Sequence, residues 1–327
     1  MAKSHRVITH QQVERLQCPS CRTGALACRD DESALACSHC HARYPIVNGV
    51  PRFVGEDHYA GSFGMQWNRH RQTQLDSHTG LPLSRNRLFQ VTGWDQDLSG
   101  QTILEAGSGA GRFTEILAGT GAQILSFDLS TAVEANQANN GRFPNVLIFQ
   151  ANMSAIPVRP LSIDKVLCLG VLQHTPDPAA SFRFLTQCVR PAGELVIDVY
   201  SARPRSLISW KYALRPLTRR MDKDRLYRLI ARAAPPLVPL SARLYKWLGR
   251  AGPRLLPIVQ YDHLGLSPAL NREWAVLDTF DMYAPAHDHP QTRGTVREWY
   301  RQAGFVDVTV EYGPNGVIAR GRRPDAR

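Results

Sequence analysis

The sequence predicts an α/β protein built on a mostly parallel sheet. From Thr102 onward, apolar runs of strand length alternate with amphipathic stretches, the rhythm of repeated βαβ units. Where that rhythm begins, an apolar run leads into a glycine-rich loop and a helical pattern follows. Open α/β sheets use this arrangement to bring backbone close to a ligand. Two further features lie outside the rhythm: a cysteine cluster ahead of it and a basic stretch near its end.

The chain has 327 residues, enough for about two domains. Its 43% hydrophobic and 20% charged residues exclude a wholly disordered chain. No apolar run approaches the ~18–20 residues of a helical membrane span. Met1–His10 lacks the apolar core of a signal peptide, so a cytoplasmic location is expected.

Five of the seven cysteines fall between Cys18 and Cys40. Cys18-Pro-Ser-Cys21 and Cys37-Ser-His-Cys40 are two CxxC knuckles fifteen residues apart. Each such turn points two sulfurs at one metal, and the spacing fits a tetrahedral four-thiolate zinc site. In a reducing compartment this reading outranks disulfides. Cys28 reads as a small buried hydrophobe. Asn48-Gly49 between apolar residues predicts a hairpin whose two turn residues both take positive φ. Next come Tyr59, Phe63 and Trp67, spaced to share one helical face, which either packs on the sheet or closes over a ligand.

Strands are expected at Thr102–Ala106, Gln123–Asp128, Val146–Gln150, Lys165–Leu169 and Glu194–Val199. Helices are expected at Arg112–Ala118, Ser130–Asn139 and Ala179–Val189. The rhythm breaks at Ser201. It resumes with a helix at Thr295–Ala303 and strands at Val306–Glu311 and Gly316–Ala319. The segment between therefore reads as an insertion.

The glycine loop is Gly107-Ser-Gly109-Ala-Gly111, with Arg112 at the final glycine position of the dinucleotide fingerprint. Glu105 stands two residues before the first glycine. Asp128 ends the next strand, about 20 residues on, where a ribose diol is usually held. A carboxylate beside the loop repels a pyrophosphate but suits a cation. S-adenosylmethionine (SAM) carries an ammonium and a sulfonium and no phosphate, so this loop favours SAM over a nicotinamide dinucleotide.

Glu105-Ala-Gly107-Ser-Gly109-Ala-Gly111 resembles the E/DxGxGxG motif of class I SAM-dependent methyltransferases. Leu167-Cys-Leu-Gly170-Val-Leu-Gln-His174-Thr-Pro-Asp-Pro178 and Arg190-Pro-Ala-Gly193 resemble that family's later landmarks. The resemblance covers roughly residues 100–200 and 293–321. It implies a Rossmann-like class I methyltransferase fold, with a seven-stranded, mostly parallel sheet. It also implies SAM contacts from Glu105, Gly107, Gly109, Gly111, Asp128, Leu129, Asn152, Met153 and Gly170. Asn152 departs from the acid the family often has there, although an amide can still bond an exocyclic amine. The cysteine stretch, continuing to Tyr44-Pro-Ile-Val-Asn-Gly-Val-Pro-Arg-Phe53, resembles the Trm112-like zinc ribbons that accompany methyltransferases. Zinc on Cys18, Cys21, Cys37 and Cys40 would then replace a core too small to build.

The implied division is a ribbon (1–55), a helical linker or cap (56–98), a SAM-binding core (99–200), a basic insertion and acceptor-side lid (201–292), and a closing helix with strands (293–327). Methyl transfer is an in-line displacement that needs a base only where the acceptor must lose a proton. Candidates are His174 after the fourth strand, Tyr200 at the end of the fifth, and His287 in Asp281–Pro290, a stretch that reads as a lid or substrate loop and fits a metal poorly. The function expected is methylation of a small molecule, or a saccharide or lipid intermediate, on oxygen. An rRNA or tRNA methyltransferase and a non-catalytic SAM-binding partner protein stand as alternatives. Against RNA, no NPPY or DPPY tetrapeptide follows the fourth strand, and residues 1–55 hold only seven basic residues against four acids.

The net charge of +11 comes from one place. Between Ser201 and Gln260 there are 14 Lys and Arg against Asp222 and Asp224, while the rest of the chain is close to neutral. So local an excess fits a helical cap whose Arg stems cover apolar surface, peripheral membrane contact through 201–260 or an anionic acceptor, and makes nucleic acid the lesser expectation. The insertion is expected to form short amphipathic helices punctuated by Pro216, Pro235-Pro236, Pro239 and Pro253.

Overall fold

The computed structural model describes residues 8–29, 31–55, 58–204 and 209–325. Residues 1–7, which carry most of the leader reading, lie outside them.

A short helix α1 (His10–Val13) opens the described chain, capped by Thr9 and Gln12 in a reciprocal box. Four antiparallel strands follow in chain order: β1 (Leu26–Cys28), β2 (Ala34–Cys37), β3 (Arg43–Val47) and β4 (Val50–Pro51). Val47 pairs with Val50 across the turn, where Asn48 and Gly49 take φ of 54° and 78°. That is the expected hairpin. Helices α2 (Gly61–Arg69), α3 (Asp76–Thr79) and α4 (Leu83–Thr92) lead into the main sheet.

The alternation then runs β5 (Thr102–Ala106), α5 (Arg112–Ala118), β6 (Gln123–Asp128), α6 (Ala132–Asn140), β7 (Val146–Gln150), β8 (Ile163–Leu169), α7 (Pro178–Cys188) and β9 (Val189–Val199). Strands β5 and β7 are buried at every residue, as parallel strands covered on both faces must be. The Arg190–Gly193 turn is present as a bulge: Val189 pairs with Ile163, and pairing resumes at Glu194 with Lys165.

After the insertion, which holds α8 (Trp210–Thr218), α9 (Lys223–Leu248) and α10 (Pro268–Tyr283), come α11 (Arg293–Gln302), β10 (Val306–Tyr312) and β11 (Val317–Arg322). The seven-stranded sheet has the order β10-β11-β9-β8-β5-β6-β7, and only β11 runs against its neighbours. This is the α/β, seven-stranded, mostly parallel fold that the sequence implies. The cysteine unit sits on its β7 edge. Arg52 bridges to Gln150 in parallel, Phe53 N donates to the Gln150 carbonyl at 2.8 Å, and the Phe53 ring meets Phe149 edge-on at 6.0 Å.

The insertion departs from expectation. It holds α8 (Trp210–Thr218), α9 (Lys223–Leu248) and α10 (Pro268–Tyr283), and α9 runs unbroken through Pro235, Pro236 and Pro239. Proline in a helix interior removes a hydrogen bond and crowds the carbonyl four residues back. Here Leu226, Ile230, Ala234 and Val238 recur every four residues and are buried. The first three share a cluster with Val276 and Phe280 of α10. Tertiary packing of the turns ahead of the prolines supports the helical path.

Candidate active site

The loop after β5 bends sharply. Gly107 (φ 76°) passes so close to Val171 that a Cβ would lie 2.4 Å from its methyl carbon. A Cβ on Gly109 (φ 53°) would stand 3.1 Å from the Trp67 indole. Glycine is required at both places, by conformation and by space. Asp128 ties the loop to the next strand: Oδ2 accepts from Gly109 N at 3.0 Å, and Oδ1 accepts from Ser130 N and Oγ at 2.8 and 2.7 Å. Oδ1 thus shapes the turn after β6, while Oδ2 holds the glycine loop against it.

Above the loop opens a cavity of about 850 Å³. One side is lined by Gly107, Gly109, Asp128, Leu129, Met153 and Gly170, brought together at the carboxyl ends of β5, β6, β7 and β8. Tyr59, Phe63 and Trp67 line it as well, so the aromatic face turns to the cavity.

Three residues expected at the cofactor do not line it. Gly111 packs under the loop, where a Cβ would collide with Asn136. Asn152 accepts from Ser154 N at 3.0 Å and caps a short 3-10 turn. Glu105 lies one layer below, 2% exposed, accepting from the hydroxyls of Thr114 and Ser126. Burial pushes its carboxyl up to about 7, and its Oε1 has no hydrogen-bond partner among the described residues. A cation held above the loop would favour the ionised form. With the Asp128 carboxylate and the apolar Leu129 and Met153, this donor set fits SAM.

The opposite wall is the acceptor side. His174, at the end of a short 3-10 turn after β8, lines the cavity between Phe63 (5.2 Å) and Tyr200 (5.3 Å). Its Nδ1 lies 3.1 Å from the His287 carbonyl oxygen. A carbonyl only accepts, so Nδ1 carries the hydrogen and Nε2 keeps its lone pair. Burial pushes the His174 pKa down, against the pull of Asp281, and the ring is neutral near pH 7. Tyr200 donates to Asp281 Oδ2 at 3.2 Å, and burial first and Asp281 second raise it well above the usual phenol value. The His287 ring stacks on His289 and does not line the cavity; its carbonyl is what reaches His174.

Sequence reasoning missed the far wall. Burial lifts Asp278 to about 6; it accepts from the Tyr261 hydroxyl, and from Gln74 Nε2 at 3.1 Å. Its signal was legible: Asp278 and Asp281 stand three apart in the mostly apolar second half of α10, on one face. Arg87 also lines the cavity, its Nη2 2.8 Å from the fully buried Asp198, and no local pattern marks a pair 111 residues apart.

The cysteines converge separately. The Sγ atoms of Cys18, Cys21, Cys37 and Cys40 all lie within 4.8 Å of one another, with Cys18–Cys40 and Cys21–Cys37 at 3.6 Å. Sulfurs around tetrahedral zinc stand about 3.8 Å apart, given Zn–S bonds of about 2.3 Å. This donor set fits zinc. Among the described residues no other group of three or more His, Cys, Asp or Glu converges in this way.

Residues 104–197 match a family model described as a methyltransferase domain. A ubiquinone biosynthesis O-methyltransferase of Albidiferax ferrireducens is 31% identical over 115 residues, 34% of this chain and 46% of that protein. One of Pseudomonas paraeruginosa is 29% identical over 161 residues, 47% of this chain and 67% of that protein. The chain thus spans about half to two thirds of the length of these relatives. A solved SAM-dependent methyltransferase of Methanosarcina mazei is 11% identical, covering 73% of this chain and 98% of that one, with a TM-score of 0.43. The glycine loop and Asp128 stand within the matched span, and the sheet has the order this fold requires. Residues 104–197, which hold the glycine loop and Asp128, are thus similar to a methyltransferase domain.

Proposed function

We propose that the protein methylates a hydroxyl of a small acceptor, with SAM as donor and His174 as the base. When bound, SAM would supply an electrophilic methyl group, open to in-line attack by an oxygen with S-adenosylhomocysteine as the leaving group. One observation carries the choice of base: a neutral imidazole whose Nδ1–H is fixed on a backbone carbonyl has its Nε2 lone pair free, in a cavity shared with the glycine loop. The acceptor proton passes to Nε2 as the C–O bond forms and the S–C bond breaks. Oxygen as the methylated atom is favoured by the likeness to proteins named O-methyltransferases. An acceptor with negative charge, such as a saccharide or lipid intermediate, is favoured by the basic excess of residues 201–260, since Arg87 and Lys211 on the cavity wall are already paired with Asp198 and Asp288. Asp128 Oδ2, Leu129, Met153 and Gly170 would hold the donor, with Glu105 and Gly111 shaping the loop from below. Asn152 would not touch the donor, its side chain capping the turn after β7. The Cys18–Cys40 unit is read as a Trm112-like ribbon holding structural zinc, and the division at 55, 98, 200 and 292 as the domain plan.

Calorimetric titration of the zinc-loaded protein with SAM and with S-adenosylhomocysteine tests the donor. Micromolar binding of both is expected, and none at millimolar ligand would overturn the reading. In the same titration Asp128→Ala is expected to weaken binding about 5- to 150-fold, the 1–3 kcal/mol of a buried group deprived of its acceptor. Unchanged affinity would remove Asp128 from the site. Mass spectrometry of anionic hydroxyl compounds incubated with SAM then tests the acceptor, with a gain of one methyl expected.

A further inference from the structure

Eight of the twelve exposed large hydrophobic side chains among the described residues fall in one 46-residue stretch, Trp210 to Leu255. They concentrate where α9 ends. Leu240, Tyr245, Trp247 and Leu248 are 40%, 42%, 81% and 53% exposed, and Leu255 is 58% exposed. The chain folds back here: a Cβ on Gly252 would lie 2.2 Å from the Leu244 carbonyl oxygen, so the 3-10 stretch carrying Leu255 packs against the helix end. A monomer has no packing reason to leave a tryptophan this bare beside three other apolar side chains.

The charge around this tip has one sign. Arg243, Lys246 and Arg254 are exposed and form no ion pair among the described residues. From Arg225 to Tyr261 the sequence contains seven basic residues and no acid. A second copy would meet the same positive charge, and a nucleic acid would leave Leu240, Leu248 and Leu255 without a purpose. Apolar and aromatic side chains set among unpaired cations match a surface that is anionic outside and apolar just beneath. Among the described residues no helix is long and apolar enough to cross a membrane, so the contact is peripheral.

We propose that the α9 tip, from Leu240 to Leu255, docks on an anionic lipid bilayer, with Trp247 at the headgroup level and Arg243, Lys246 and Arg254 against lipid phosphates. The same insertion supplies Lys211, Tyr212 and Tyr261 to the cavity wall. The surface is distinct from the cofactor site, and its failure would leave the methyltransferase reading standing.

The test is co-sedimentation of the full zinc-loaded chain with vesicles of phosphatidylcholine containing one third phosphatidylglycerol, at low salt. Binding to these vesicles is expected, falling at least tenfold on pure phosphatidylcholine and declining as salt rises. The triple variant Trp247→Ala, Leu248→Ala, Leu255→Ala is expected to lose binding tenfold or more. Arg243→Glu with Lys246→Glu should do the same by charge alone. Both should keep the wild-type affinity for S-adenosylhomocysteine, which reports an intact fold. Absence of co-sedimentation, equal binding to neutral vesicles, or full binding by both folded variants would overturn the proposal. So would a concentration-dependent dimer that the triple variant abolishes.

Discussion

His174→Gln is expected to lower kcat by about 10²–10⁴-fold, the usual contribution of a positioned base, while changing SAM affinity little. Glutamine keeps a donor for the His287 carbonyl and fills similar space, but it offers no basic nitrogen. The pH profile sharpens the test. Burial depresses the His174 pKa, so the active neutral form persists below the ordinary imidazole value. Wild-type kcat should fall only as pH drops through that depressed pKa, and the acid limb should vanish in the variant. A variant with wild-type kcat would show that the acceptor needs no base here, as expected of a carboxylate or amine acceptor.

Removing the metal from the four cysteines should have the largest effect on stability. Binding of structural zinc by small domains is worth about 10–16 kcal/mol and is inseparable from their folding. With a strong chelator, or in Cys37→Ser, the Cys18–Cys40 unit and its hairpin are expected to lose their fold and become open to protease. The main sheet would also suffer. Val50 is fully buried in the core that holds Ile124 and Ile148, and Arg52 and Phe53 would leave the β7 edge. Differential scanning calorimetry should therefore record a lower Tm for the whole chain. Elemental analysis should give one zinc per untreated chain. A metal-free preparation with an unchanged Tm would exclude the structural role.

What was legible in the sequence was local. Strands β5, β6 and β7 carry near-continuous apolar runs bounded by glycine or polar turns, so burial on both faces marks their limits. Asn48-Gly49 and the cysteine knuckles are likewise short-range chemistry. The proline-rich α9 was misread because its stability comes from α10, about forty to fifty-five residues further on, and not from propensity. The acceptor wall resisted for a related reason. His174 meets the His287 carbonyl across 113 residues and Arg87 meets Asp198 across 111, pairings that only the folded topology creates. Glu105 is expected at the cofactor from its spacing to the loop, but spacing alone does not reveal that a side chain on a fully buried strand lies beneath the loop.

The position of β11 has a consequence for how the chain comes to be folded. This strand lies between β9 and β10, pairing with β9 from Val317–Val199 to Arg322–Glu194. It is synthesised more than a hundred residues after its partner. Until then β9 presents a long apolar rim, and Tyr300, whose hydroxyl donates to the carbonyl oxygens of Leu195 and Ala319, lacks half of its anchorage. Nascent chains stalled near residue 300 should therefore depend on chaperones and aggregate when released, whereas chains ending after Arg322 should not.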